Sequence, residues 1–456
     1  MQLAPQPAGP EPAHAPVYPW LVVALFLACH VFSYIDRQVI SLLVQPMKAS
    51  MGLSDTQIGL LQGLAFGLFY AMAGVPIAWL VDSGRRARIA WVCVGLWSFA
   101  TMGSGVVKSF ASLLAMRAAT AIGEAGLPTA AMSIFSDLFP RHKLARATGF
   151  FILGPFIGGG LALVLGAAVL GHFGDVTSVD VPRLGALEPW RIVFLVVGAP
   201  GLLLAAAVAL LIREPARRST VLLSGRADDV DRVRSIRETV HVLFTEHGYF
   251  LVCTLGLTCA VIVFFCVAAW FPTHVIRLFS LAPASAGQTL GPIFIVCGAS
   301  GTVLASLLAT AGSPANPLRR VYGVTGICLI GLLGSVLGLF VAVSYTASLA
   351  VYGCAIFFLS GVMSLGPVPA QIVLPNRMRA QGMALQALLF SVVGAGLGPL
   401  LVGAVSDGLG SGHPISVGRA LALVALPATL CSMVLFAASY RMLFRSRGSS
   451  PAPQPI

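Results

Sequence analysis

The chain alternates long apolar runs with short polar clusters. It shows neither the period-two alternation of half-buried strands nor the wide polar faces of soluble helices. About twelve runs of roughly 20–27 residues are each long enough to span a hydrocarbon core of about 30 Å. They cover 20–46, 57–81, 88–107, 110–135, 145–171, 190–212, 249–272, 286–311, 321–343, 347–370, 382–406 and 419–440. In lipid the backbone is satisfied only inside helices or a closed barrel, so each run is expected to be a helix. The predicted fold is an all-α membrane protein with 12 transmembrane helices. The longest polar stretch, a cytoplasmic linker at 213–248, divides it into an N-terminal six-helix bundle at 20–212 and a C-terminal six-helix bundle at 249–440. Disordered tails are expected at 1–19 and 441–456.

Composition closes off other classes. Hydrophobic residues make up 57% of the chain, charged residues 10%, and the mean hydropathy is +0.91. Soluble domains carry about 25% charged residues, so a soluble protein is excluded. No Lys or Arg precedes the first run, unlike a secretory signal. Net charge is +12, but twenty of the 28 Lys and Arg fall after every second span and in the C-tail. The positive-inside rule then places both termini in the cytoplasm and assigns the basicity to topology, with no nucleic-acid partner. A bacterial inner (plasma) membrane is the expected location. The nine cysteines lack CxxC spacing and read as buried free thiols, with no metal set. Val230, Val233, Ile236, Val240 and Leu243 give the linker a helical apolar spacing over 228–244. A weak repeat relates the halves: Arg146-Ala147-Thr148-Gly149 to Arg379-Ala380-Gln381-Gly382, Pro140 to Pro375, and Gln57 to Gln288.

Four ionisable residues interrupt the runs themselves: Asp36 and Arg37 in the first, Arg117 and Glu124 in the fourth. Such residues are costly in a bilayer and functional by default. From Glu246 onward the only other acid is Asp407. Counting 1.5 Å per residue puts Asp36 about 24 Å from one surface and Glu124 about 21 Å from the other, a difference in depth of about one helical turn. Arg117 and Glu124 share a helix face but stand about 10 Å apart along it, so each needs another partner. A buried carboxyl has its pKa raised by desolvation and lowered by a nearby guanidinium, so exchanging these influences loads and releases a proton. An arginine could instead grip a substrate carboxylate or phosphate. A purely structural ion pair is the alternative. His30, one helical face with Arg37, is either a relay or a packed neutral histidine, and His274 is equally open. In the fifth run GPFIGGG (154–160) is a hinge or a close-packing stripe. Gly394, Gly396, Gly398 and Pro399 form a parallel case.

YIDRQVISLLVQP (34–46), LSDTQIGLLQGLAFGLFYAMAG (53–74), RAATAIGEAGLP (117–128), SDLFPRHKLARATG (136–149) and WRIVFLVVGAPGLLL (190–204) resemble the major facilitator superfamily, in particular its Spinster-like branch. That resemblance implies two six-helix bundles, with helices 1 and 4 facing a central cavity. It implies Asp36 and Glu124 as proton carriers, Arg37 as the switchable partner of Glu124, and Arg117 as a support or anion contact. Asp82-Ser83-Gly84-Arg85-Arg86 resembles the family's loop 2–3 signature, one residue short and with Ala78 where glycine is usual. Asp82, Arg85, Arg86, Asp137 and Arg146 are then the expected cytoplasmic gate. Gly154, Pro155, Gly158 and Gly159 resemble a hinge signature of antiporters. Members of the branch are implicated in moving lysolipids and sphingosine-1-phosphate.

The expectation is a monomeric, proton-coupled secondary transporter working by alternating access on a small organic anion or lysolipid-like amphiphile. Its partners are protons and membrane lipids. No Walker-type loop implies ATP, and no cofactor is expected. Uptake of organic anions by an anion:cation symporter is the alternative within the class. A lipid enzyme lacks a Ser-His or His-Asp cluster, and a transport-like sensor lacks a signalling domain. In the second half the polar candidates are Gln288, Ser364, Gln371 and Gln386. A cavity charged on one wall and apolar on the other suits an anionic head with a fatty tail.

Overall fold

The computed structural model describes residues 17–174, 176–215, 245, 248–311, 317–341, 344–369, 374, 376–410 and 413–448. It is almost wholly helical, and ten stretches are long and apolar enough to cross a membrane. The third and fourth expected spans fall outside those ten. The third is α5 (Arg86–Ser104), diluted by Arg86 and Arg88, and the fourth, α6 (Phe110–Glu124) and α7 (Gly126–Leu138) parted at Ala125, is diluted by Arg117, Glu124 and Asp137.

Other spans break too. The first is α1 (Tyr18–Gln38) and α2 (Ile40–Met51), and the second is α3 (Asp55–Gln62) and α4 (Leu64–Ser83), parted at Gly63. The fifth runs from α8 (Arg141–Ile152) into α9 (Gly154–Phe173), and α10 (Pro189–Leu211) completes the first half. The second half holds α11 (Gly248–Phe279), α12 (Pro283–Thr310), α13 (Pro317–Val341) and α14 (Tyr345–Leu365). Then come α15 (Asn376–Leu389), a π-helical stretch at Phe390–Leu397, α16 (Gly398–Gly408) and α17 (Ser416–Gly448). Irregular backbone at membrane depth is tolerated where protein buries it or a cavity receives it.

Three differences from the sequence reading concern boundaries. The first helix begins at Tyr18 and the last runs to Gly448, past the expected tail limits of 19 and 440. A hairpin of two three-residue strands, Val179–Val181 and Gly185–Leu187, joins α9 to α10. Strands that short leave no period-two signal. The linker stretch 228–244, Gln371 and Pro375 lie outside the described residues.

The halves meet along stripes of small residues. A Cβ on Gly59, Gly63 or Gly67 would lie 2.4 Å from the carbonyl oxygen of Pro399, Gly396 or Ser391 respectively. Glycine at four-residue spacing therefore lets α3 and α4 lie directly against the backbone of the eleventh span. Trp270 donates its indole N–H to the Pro399 carbonyl at 2.8 Å, which fixes this backbone from the other side. In GPFIGGG, Gly158 lies against the Val31 carbonyl of α1 and Gly160 against the Gly291 carbonyl of α12. The chain break falls just before Gly154, and the glycines beyond it are contact points between α1, α9 and α12. Gly63→Val is expected to destabilise the protein by about 1–3 kcal/mol, because no backbone neighbour can yield without strain. Gly74→Val, with open space at its Cβ, is the control, and melting temperatures in detergent compare the two.

Candidate functional site

The four ionisable residues of the first and fourth spans converge inside the first half. Three lie close to a break: Asp36 and Arg37 directly precede Gln38, the last residue of α1, and Glu124 is the last residue of α6, while Arg117 lies inside α6. Arg37 donates from Nη2 to Glu124 Oε2 at 2.7 Å, and Ser33 donates to the same oxygen at 2.7 Å. Glu124 Oε1 is buried with no protein hydrogen-bond partner. Thr101 of α5 donates to Asp36 Oδ2 at 3.0 Å, while Oδ1 has no protein partner. Arg117 reaches the backbone carbonyl of Asp36 at 3.4 Å, and its Nε and Nη2 are left without one. Two half-satisfied carboxyls and one half-satisfied guanidinium thus share one desolvated region, a costly arrangement for a merely structural purpose.

Arg37 is the accessible member, with 15% of its side chain exposed, whereas the Glu124 side chain is fully buried. Its guanidinium lies over Phe66 at 4.1 Å, Tyr34 at 4.7 Å and Tyr70 at 5.5 Å. These rings hold the cation in an orientation that Glu124 alone would not fix. The group faces the other half of the protein. The neighbouring Gln38 donates to the Ala268 carbonyl of α11 at 2.5 Å, and Gly67, next to Phe66, accepts from Ser391 at 3.0 Å. The second half offers no ionised side chain at this level among the described residues. Gln288 is exposed, Ser364 bonds to its own helix, and Gln386 lines a separate small cavity with Tyr249 and Thr254.

His30 accounts for itself as packing. Its Nδ1 lies 2.9 Å from the Phe151 carbonyl, and its ring stacks on Phe151 at 4.1 Å. His274 is buried against Phe271, with Nδ1 lacking a protein partner.

At the end carrying the termini, the expected latch residues differ in burial. Arg85 and Arg146 are exposed, as is Asp82. The buried residue is Arg86. It pairs with Asp137 and with Glu214 at 2.8 Å, and it donates to the Ser133 and Pro215 carbonyls at 3.2 and 2.8 Å. One side chain therefore ties the start of α5 to the end of α7 and to the chain leaving α10. Positive-inside reasoning treats Arg85 and Arg86 alike. Only packing separates them: Arg85 occupies the N-cap position facing out, and Arg86 begins the helix facing in. Arg86→Ala is expected to cost about 1–3 kcal/mol, since two carboxylates and two carbonyls lose their donor. Arg85→Ala is expected to stay within about 0.5 kcal/mol. Thermal unfolding in detergent measures both.

The opposite end holds a cluster that the sequence reading did not assemble. Asp55, the first residue of α3, is fully buried and receives Arg277 of α11 through two hydrogen bonds at 2.6 and 2.8 Å. Lys48 and Ser406 also bond to it, the latter at 2.7 Å. Asp407, the lone acid of the second half, accepts from the backbone N–H groups of Asp55 and Thr56 at 3.0 and 2.8 Å and from the Thr56 hydroxyl at 2.6 Å. It therefore caps a helix N-terminus belonging to the other half, where a carboxylate is favoured by the exposed N–H groups and the helix dipole. One signal was available. Lys48 and Arg277 are among the six cations that the positive-inside pattern leaves over once Arg37 and Arg117 are set aside, and such cations are candidates for specific pairs. Among the described residues, the hydrogen bonds between halves run from this cluster through Ser41–Thr273 and Gln38–Ala268 to Gly67–Ser391, and none lies beside Arg86. The bundle is sealed away from its termini.

Comparison with known proteins agrees with this architecture. Residues 26–399 match the model of the Major Facilitator Superfamily. An MFS-type efflux pump of Mycolicibacterium smegmatis is 27% identical over 93% of both chains. Protein spinster homolog 3 of Danio rerio is 28% identical over 86% of this chain and 77% of its own. A crystal structure of a bacterial homologue of the human lysosomal transporter Spinster, inward-facing and unoccupied, superposes with a TM-score of 0.76 at 25% identity, covering 96% of this chain and all of that one. The chain belongs to the Major Facilitator Superfamily, and within it is a secondary transporter of the Spinster type.

Proposed function

We propose that this transporter moves an amphiphile with an ionised head group and exchanges it against, or with, protons held at Asp36 and Glu124. The observation that carries the reading is the Arg37–Glu124 pair at 2.7 Å, with Arg37 the more accessible partner and, among the described residues, no charge on the opposite wall. A proton arriving on Glu124 removes the anion that holds Arg37. The guanidinium then keeps its aromatic neighbours and takes a phosphate or carboxylate from the substrate in place of Glu124. Asp36 and Arg117, which meet beside this pair, respond to the same change of field. When the substrate leaves, Arg37 returns to Glu124 and the proton is expelled. The substrate anion and the Glu124 carboxylate thus compete for one arginine, and that competition couples the two fluxes.

With the termini in the cytoplasm, the sealed end at Asp55, Arg277 and Asp407 is the outer gate and the described conformation is inward-facing. The inward-facing structure to which the chain is similar supports that orientation. Opening this gate requires separating Asp55 from Arg277, so alternating access proceeds by breaking the cluster at one end and closing the other. The apolar second-half wall supports a single-chain lipid tail, and the sequence resemblance to the Spinster-like branch supports a substrate of the lysolipid type. The test is flux in proteoliposomes under an imposed pH gradient, using lysophospholipids, sphingosine-1-phosphate and small organic anions. Gradient-dependent movement of the anionic or zwitterionic amphiphiles is expected. Flux of these amphiphiles that ignores the gradient contradicts the coupling, and movement of the small anions alone contradicts the substrate class.

A further inference from the structure

A second site lies on the outer surface of the second half, away from the charged set. A groove of about 450 Å³ runs between α13 and α17 at the end carrying the termini. Its mouth holds Arg319 and Arg441, both exposed. Neither is ion-paired to an acid among the described residues. The Arg319 guanidinium is fixed over the Phe444 ring at 5.1 Å. Below the arginines, Tyr322 is locked by a 2.9 Å bond between its hydroxyl and Ser439, and its ring packs against Phe436 at 4.6 Å. Gly323 and Gly326 form the floor, and a Cβ at either would meet nothing within 4 Å. Glycine is therefore not required there by close helix packing, unlike Gly63. What its absence of side chain does is keep the groove open.

The dimensions fit one lipid leaflet. From Arg319 to Ile330 the groove follows α13 for about 16 Å, at 1.5 Å per residue. Half of a 30 Å hydrocarbon core is about 15 Å. We infer that this groove binds an anionic phospholipid of the surrounding bilayer, with its phosphate between Arg319 and Arg441 and one acyl chain over Gly323 and Gly326. Unpaired cations at the surface end and an apolar channel beneath them match the charge order of such a lipid, and basic pockets between membrane helices take lipid head groups. The positive-inside rule explains why arginines stand on this side but not why a rigid, glycine-floored channel begins at two of them.

The test uses the full-length protein in detergent with added phosphatidylglycerol or phosphatidylcholine, reading lipid retention by native mass spectrometry and melting temperature. The wild type is expected to retain phosphatidylglycerol preferentially. Arg319→Ala/Arg441→Ala is expected to weaken that retention roughly 30-fold, at about the contribution of two basic residues near a membrane surface. Gly323→Leu/Gly326→Leu, which fills the floor and leaves both charges, is expected to lose the preference as well while melting like the wild type in phosphatidylcholine. Equal retention by the wild type and the arginine variant overturns the inference. So does a preference that survives filling of the groove, or inorganic phosphate alone raising the melting temperature as phosphatidylglycerol does.

Discussion

Asp36→Asn and Glu124→Gln are each expected to abolish the substrate accumulation that a pH gradient drives. One pH unit is worth about 1.4 kcal/mol per proton, so one coupled proton supports about a tenfold accumulation ratio for each unit of gradient. Removing the titrating oxygen removes that work but leaves most of the local geometry. In Asp36→Asn the amide oxygen still accepts from Thr101, and in Glu124→Gln it still accepts from Ser33 and Arg37. Exchange of substrate at equal pH should therefore continue in both variants. The measurement is the accumulation ratio in proteoliposomes at several imposed gradients. The wild-type slope of about tenfold per unit should flatten to none. Variants that fold normally and keep the wild-type slope would remove the proton assignment.

Asp55→Asn is expected to open the sealed end. The buried Arg277 then loses its only anionic partner among the described residues, and Lys48 loses its own. Removing one member of a buried ion pair costs about 3–5 kcal/mol, borne here by the closed arrangement alone. A shift of even 3 kcal/mol changes the ratio of two states about 150-fold, enough to invert a modest preference. Asp407→Asn should act in the same direction but less, because an amide oxygen still accepts from the N–H groups of α3. Spin labels at Ala49→Cys and Leu409→Cys, exposed positions on opposite halves, report the separation in a background without the native cysteines. A dominant longer distance is expected in Asp55→Asn. Distances unchanged from the parent would show that the cluster does not hold this end shut.

Most of the architecture was legible because lipid leaves so few alternatives. Apolar runs of sufficient length must be helices, and the single long polar stretch divides them. Less legible was where those helices break. Val39 and Ala125 carry no special chemistry, and their breaks depend on what each helix packs against, whereas the break at Leu153 stands directly before Gly154 and Pro155. The sequence brought Asp36, Arg37, Arg117 and Glu124 to a common depth because helical rise converts residue number directly into distance. It could not show that Tyr34, Phe66 and Tyr70 surround Arg37, since aromatic residues in membrane helices are common and their side-chain directions depend on tertiary contacts. Asp55 and Arg277 are 222 residues apart, and their bidentate pairing has no local signature. Asp407 drew notice as a lone acid, yet its role as a cap on a helix of the other half follows only from the docking of the halves. Arg85 and Arg86 show the same limit at the scale of one residue: identical in charge and neighbours in sequence, one faces out and the other is buried among five acceptors.

Coupling rests on the Glu124 carboxylate and a substrate head group competing for Arg37. The direct measurement is proton release or uptake when substrate binds the purified protein, followed with a pH-indicating dye in weakly buffered detergent solution. The wild type should exchange up to about one proton per substrate bound, and Glu124→Gln should bind substrate with little or no proton exchange. Substrate binding that moves the same number of protons in Glu124→Gln as in the wild type would contradict it.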